Sequence, residues 1–220
     1  MKRLSHKDLL QSVIEFGLSL RRERRHPIQV CRLCCMLFDE LQSVHHMGNT
    51  ERIWLQTAAL LHDVGKSIRR NDHNKKSRDI IIKSAKLPFN KRQRIIVGLI
   101  ARYHRGARPN RSHRYYGKLD SESRYYVRKL AAILRFADGL DGNHCDAITD
   151  LSCRITEENI IVSPETEGSF DPHKALGKAD LLEDVLNRRV IIIEQLEPVF
   201  RSNEMEPPDD PDYTDTPLQF

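Results

Sequence analysis

The stretch Ala58-Ala59-Leu60-Leu61-His62-Asp63-Val64-Gly65-Lys66 sets an imidazole beside a carboxylate at the end of an apolar helix. Neighbouring helical residues point about 100° apart, so both tips reach one ion lying beyond the helix end. A carboxylate among apolar neighbours is costly unless something positive compensates it. A divalent cation does so; a helix-end hydrogen bond is the other use of such a pair. Three further features carry the same kind of chemistry. His26 stands just ahead of Pro27, where another helix starts. Tyr103-His104-Arg105 falls at a helix terminus. Asp138 lies near the end of a further apolar helix, in Leu134-Arg135-Phe136-Ala137-Asp138-Gly139-Leu140-Asp141.

These groups must be held by helices, and the apolar periodicity supplies them. Helical patterns cover residues 7–20, about 27–42, 50–63, roughly 74–85, 90–104 and 121–140, with Gly65 as the stop after the third. Arg105 to Lys118 is a basic loop containing Gly and Pro. After residue 147 the pattern changes. Leu151, Cys153 and Ile155 alternate, Glu157-Glu158-Asn159 interrupts, and Ile160-Ile161-Val162 resumes, which predicts a hairpin. A helix over 174–187 and a strand over 189–193 follow. The expected fold is mainly α: a helical bundle over residues 1–144, then a small strand–strand–helix–strand subdomain over 145–200. Residues 202–220 hold four prolines, six acids and no Lys or Arg, so 201–220 is expected to be a disordered acidic tail.

Composition bounds the function. Hydrophobic residues make up 39% of the 220, enough to bury a core, and no run of about 18 apolar residues offers a membrane span. The first residues lack the apolar stretch of a secretory signal. Five cysteines without regular spacing fit a reducing interior, so a cytoplasmic protein is expected. Residues 1–144 carry a net +17 and residues 145–220 a net −12. The basic block is an electrostatic footprint for a polyanion. Cys31, Cys34 and Cys35 lie at helical core spacing with no second ligand pair at zinc-finger distance. His45-His46 falls in a polar loop and is assigned to the surface. Asp141 is assigned to capping its helix, and Trp54 to the core.

The ordered set His26, His62-Asp63, Asp138 resembles the HD superfamily of metal-dependent phosphohydrolases. Leu61 to Gly65, Asp72-His73-Asn74-Lys75-Lys76-Ser77, Ala101-Arg102-Tyr103-His104-Arg105 and Leu134 to Asp141 narrow the resemblance. Together with the closing segment, they are similar to the C-terminal HD domain of the exopolyphosphatase/guanosine pentaphosphate phosphohydrolase family, over about residues 8–195. In that family the phosphatase machinery belongs to N-terminal actin-like domains, for which 220 residues leave no room, so exopolyphosphatase activity is not carried over. Relatives often have His-His-Lys-His-Ser where this chain has His73 to Ser77. Lys76 stands at the position of a second-ion ligand, and an ammonium has no lone pair to give.

The resemblance implies an ion held by His26, His62, Asp63 and Asp138, and Lys76 favours one ion over two without deciding the number. Two imidazoles with two carboxylates suit Mn, Fe, Ni, Co or Zn, and Mg less well. Metal-activated water would attack phosphorus, with Asp63, Lys66 and His104 at the reacting centre. His73, Lys66, Lys76, Arg102, His104 and Arg105 would hold the phosphate. The expected activity is hydrolysis of a phosphoester or phosphoanhydride bond in a nucleotide or other small phosphorylated compound. The alternative is a non-catalytic module that binds polyphosphate, a guanosine polyphosphate or RNA. A nucleic-acid architectural role is not favoured, because no helix-turn-helix spacing or aromatic stacking motif is apparent. A strand edge leaves a homodimer possible, without deciding the oligomeric state.

Overall fold

The computed structural model describes residues 5–20, 24–68 and 71–194. The acidic tail expected over 201–220 lies outside the described residues. Seven helices come first: α1 (His6–Leu20), α2 (Arg25–Glu40), the single turn α3 (Gln42–His45), α4 (Asn49–Leu61), α5 (His73–Lys83), α6 (Lys91–Arg102) and α7 (Ser121–Leu140). Their starts follow local chemistry. Asn90 accepts from Gln93 N–H while the Gln93 side chain accepts from Asn90 N–H, a reciprocal cap for α6. Asp120 accepts from Ser123 N–H and caps α7. Pro27 sits in the first turn of α2, where no N–H is needed.

The core follows the helical period. Val30, Leu33, Cys34, Leu37 and Phe38 of α2 are buried with Leu55, Ala58, Ala59 and Leu61 of α4. Val127, Leu130, Ala131 and Leu134 of α7 complete that layer, so α7 runs against α2, α4 and α6 at once. No described helix is long and apolar enough to cross a membrane.

The chain then forms β1 (Ile148–Ile155) and β2 (Asn159–Thr166), antiparallel with Ile155 opposite Ile160. Two short helices, α8 (Pro172–Leu176) and α9 (Asp180–Leu186), lead to β3 (Arg189–Ile192), which runs parallel to β2 with Val190 opposite Ile160. The sheet order is β1-β2-β3. The protein is thus mainly α, with a small sheet after the bundle. The one helix expected over 174–187 is two, because α8 ends at Gly177 and the chain turns before α9. Gly139 in α7 permits α8 to pack closely: a Cβ there would stand 2.8 Å from Ala175 Cα.

His45 is a correction. It is buried rather than on the surface. Its Nε2–H donates to the Phe38 carbonyl at 2.7 Å and its Nδ1 accepts from Met47 N–H at 2.9 Å. Both nitrogens are used to close the turn between α3 and α4.

Candidate metal centre

Five chain segments bring the histidines and aspartates together, His73 coming from the start of α5 and His104 from just past α6. His26 comes from the first turn of α2, Asp138 from the last turn of α7, and His62 and Asp63 from the turn that ends α4. Asp63 leads into a 3-10 turn, Val64–Ser67. Gly65 in that turn is not in a left-handed conformation, so its role as a helix stop is not conformational. It is needed for space: a Cβ there would fall 2.1 Å from the His73 carbonyl oxygen. Gly65 N–H donates to Ser77 Oγ at 2.9 Å. The N-terminus of α5 therefore lies directly on the turn, and His73 reaches Asp63.

His26, His62, Asp63, His73, His104 and Asp138 are all buried. His26 Nε2 lies 3.2 Å from Asp138 Oδ1 and 4.0 Å from Asp63 Oδ2. His62 Nε2 lies 3.6 Å from Asp138 Oδ1 and 3.7 Å from Asp63 Oδ2, too far to hydrogen-bond either. It is a buried nitrogen with no hydrogen-bond partner among the described residues. On the other side of Asp63, Oδ1 is 3.1 Å from His73 Nε2 and 4.0 Å from His104 Nε2. Asp63 thus stands between two imidazole pairs. Two trios have donor atoms within 4.8 Å of one another: His26, His62 and Asp138, and His62, Asp63 and His104.

The far ring nitrogens are already committed, which fixes the tautomers. His62 Nδ1 bonds the Ala59 carbonyl at 2.6 Å and His104 Nδ1 the Ala101 carbonyl at 2.7 Å. A carbonyl only accepts, so Nδ1 carries the proton and Nε2 turns a lone pair inward. His26 Nδ1 meets Asp141 Oδ2 at 2.6 Å, a carboxylate backing an imidazole as in metal sites. Asp141, assigned from the sequence to capping, does both: its Oδ1 accepts from Asp146 N–H at 3.1 Å. His144, not singled out from the sequence, stacks on His26 with centroids 3.7 Å apart.

The electrostatics keep both aspartates ionised despite their burial. Burial alone would raise the Asp63 carboxyl. The surrounding His62, His73 and His104 and an ion pair with Lys66 outweigh it and hold the carboxyl well below the usual carboxylate range. The same balance of burial against histidine contacts holds Asp138 low. Burial opposes protonation of His26, but hydrogen bonds to Asp138 and Asp141 prevail and push it up to about 9. Burial pushes His104 down to about 3, so that ring is neutral.

A cavity of about 380 Å³ opens onto these groups, lined by Lys66, His73, His104, Arg105 and His144 among others. Arg135 and Lys178 complete its cationic wall, and Lys178 pairs with Asp138. Neither was found from the sequence. Lys178 follows a helix break that periodicity did not reveal, and Arg135 has the look of an ordinary helix-surface residue. Two residues expected to hold phosphate lie apart from this cavity. Arg102 is buried with its guanidinium over the Tyr103 ring at 5.6 Å, and its carbonyl accepts from Asn74 Nδ2. Lys76 is exposed on α5 and does not line the cavity. It follows His73 by three residues, and the ring that reaches Asp63 is that of His73. Depressions of about 760 and 1040 Å³ lie elsewhere, but neither is lined by a group from those two trios, so donor chemistry and not volume selects the site.

The model for domain III of the Ppx/GppA phosphatase family matches residues 11–185. The chain belongs to that family. No curated protein matches it. Membership makes a phosphohydrolase-related function and divalent-metal chemistry the natural frame for this domain III, and the His/Asp clusters can hold an ion.

Proposed function

We propose that this domain III is a metal-dependent phosphohydrolase acting on a nucleotide or another small phosphorylated compound. The observation that carries the reading is the convergence of His26 Nε2, His62 Nε2 and the Asp63 and Asp138 carboxylates, with His62 Nε2 buried and unbonded. Leaving such an atom without a partner is costly. An ion coordinated there removes the cost. One divalent ion on His26, His62, Asp63 and Asp138 is the arrangement favoured, Mn, Fe, Ni, Co or Zn over Mg. Such an ion supplies Lewis-acid charge and activates water for attack on phosphorus.

The chain's own groups do the rest. Asp141 would keep the proton on His26 Nδ1 when an ion displaces the one on Nε2, so that Nε2 is the nitrogen left to ligate. Neutral His104 presents Nε2 to the cavity, where it would accept a hydrogen bond from the attacking water and orient it. Lys66, Arg105, Arg135 and Lys178 bind and orient the equatorial phosphate oxygens, on which charge builds. Residues 1–144 would carry the ligands, and the described residues after 145, up to 194, would cover the cavity through Lys178. The protein is read as cytoplasmic.

A two-ion centre is a second reading, favoured by the trio His62, Asp63 and His104. His62 has only Nε2 to give, because Nδ1 is bonded to Ala59, so the two trios compete for it. A second ion would rest on Asp63, His73 and His104. A non-catalytic phosphate-binding module uses the same cationic wall and is separated by turnover. The test is metal analysis of the wild type and of the His62→Ala and Asp63→Ala variants, with a phosphatase screen of nucleotides, guanosine polyphosphates, cyclic dinucleotides and short polyphosphates. Bound metal near one equivalent, lost in both variants together with chelator-sensitive turnover, is expected. Two equivalents support the two-ion reading. Equal metal content in all three proteins overturns the assignment.

A further inference from the structure

On the far side of the Arg105–Arg111 loop from the metal centre, a groove of about 760 Å³ runs between that loop, α7 and α9. Its α7 wall is made by Ser121, Arg124, Tyr125, Arg128 and Lys129. Their spacing of three, one, three and one is a single helix face. It is the face turned away from the core residues Val127, Leu130 and Ala131. Arg108 and Arg111 add two more cations from the loop.

The charges are not cancelled. Arg128 pairs with Asp184 at 3.0 Å and Arg108 with Asp180 at 2.9 Å. Arg111, Arg124 and Lys129 have no carboxylate partner among the described residues. An aromatic ring stands among them. Tyr125 is 43% exposed, and its hydroxyl donates to the His45 carbonyl at 3.2 Å, which fixes the ring. Lys129 Nζ sits 4.6 Å from the ring centroid. Pro109, Leu181 and Val185 give the groove an apolar component.

A chain of phosphates offers charge alone and has no use for a fixed tyrosine or an apolar wall. A duplex offers phosphates but keeps its base faces stacked. We propose that this groove binds single-stranded nucleic acid, phosphates on Arg111, Arg124 and Lys129 and a base on Tyr125. Cations that track a backbone beside an aromatic platform are the general means of holding single strands. The inference does not depend on hydrolysis at the metal centre. The groove adjoins that centre, however: Asp180 bonds Arg108 of the groove and Arg135 of the cavity wall.

The test is fluorescence anisotropy on the full chain with labelled dT12 and rU12, their duplexes, and polyphosphate of matched charge as competitor, between 50 and 200 mM salt. Both single strands are expected to bind more tightly than the duplexes, with rU12 against dT12 showing whether the sugar is read. Tyr125→Ala should weaken single-strand binding about 5- to 100-fold and leave duplex binding unchanged. Arg111→Gln, on an exposed loop, should lower the salt slope by about 0.7. Asp63→Ala should bind as the wild type does. No binding at 50 mM salt, or binding untouched by both groove variants, overturns the proposal. So does polyphosphate that binds as tightly as the oligonucleotides and is indifferent to Tyr125→Ala, which would make the groove a polyphosphate site.

Discussion

Asp141→Asn is the most discriminating substitution at the metal centre. The wild-type carboxylate takes the Nδ1 proton of His26 at 2.6 Å, and both groups are buried, so the ring cannot turn to another partner. Asparagine has nearly the same shape, and its carbonyl oxygen keeps the bond from Asp146 N–H. Its amide, however, then faces His26 Nδ1 with a donor. The ring must give up the Nδ1 proton to accept it and then keeps its proton on Nε2. An Nε2–H cannot ligate an ion. Loss of an orienting partner lowers metal affinity about 10- to 100-fold, which is about 1.4–2.8 kcal/mol. Because Asn reverses the tautomer, D141N belongs at the upper end. Asp141→Ala leaves the tautomer free and belongs near tenfold. Competition for Zn²⁺ or Co²⁺ against a chromogenic chelator measures both, and the nitrogen shifts of His26 report the tautomer independently. A D141N protein that binds as tightly as the wild type, or more tightly than D141A, refutes the tautomer argument.

Three other outcomes are expected. Gly65→Ala places a methyl group on the His73 carbonyl, so urea unfolding should show a loss of about 3 kcal/mol with an unchanged slope; a loss near zero would mean that α5 does not need this contact. In chelator-treated protein, His104, held down to about 3 against an ordinary 6.5, contributes stability above pH 6.5 that is lost as pH falls toward 3. His26, raised to about 9, contributes stability below pH 6.5 that is lost as pH rises through 9. Thermal midpoints should therefore peak near pH 6.5, with His104→Gln flattening the acid limb; a midpoint that only rises with pH contradicts this. At Cys35, a hydrogen bond from Cys31, the nearby Arg52 charge and a Gln56 hydrogen bond at 3.2 Å hold the thiol down at about 7. In a Cys145→Ser background alkylation should be half-maximal near pH 7 and shift upward in Arg52→Gln. Burial pushes the Cys153 thiol up to about 12 and that of Cys34 well above its ordinary value, so neither should react.

The candidate ligands stand at helix ends, His26 at the start of α2 and His62, Asp63 and Asp138 at or just past the close of α4 and α7, and helix ends are where periodicity breaks most visibly. His62-Asp63 and Asp138 could be placed at such ends without knowing how the helices pack. What the sequence does not carry is which face of a helix end looks inward. Arg102 and His104 are two residues apart at the end of α6, yet one reaches the cavity and the other lies over Tyr103. Asp141 caps its helix as its position suggests, and only the approach of α2 makes it a partner of His26 as well. Lys178 lies beyond a helix break at Gly177 that hydrophobic spacing had bridged. The residues expected from local pattern were found where the pattern is local, and those that depend on contacts between distant elements were not.

The charge balance of the cavity narrows what it can hold. Lys66 pairs with Asp63, Lys178 with Asp138 and Arg135 with Asp180, which leaves Arg105 as the cavity-lining cation without a carboxylate partner among the described residues. The four cations are not equivalent. Arg135 is fixed by Asp180 and by the Gly106 carbonyl, so its guanidinium keeps one position. Lys66 and Lys178 reach the aspartates from the rim, their side chains 28% and 32% exposed. A flexible ammonium that neutralises a carboxylate can also meet a phosphate oxygen, provided that an ion takes over the charge of the buried carboxylate it leaves. A fixed guanidinium adds the bidentate geometry that phosphate prefers. An ion at the aspartates would free Lys66 and Lys178 from them and add to the positive charge facing a bound phosphate. On the proposed reading, this cationic wall would favour anionic phosphorus compounds before any contact with the rest of the molecule is counted.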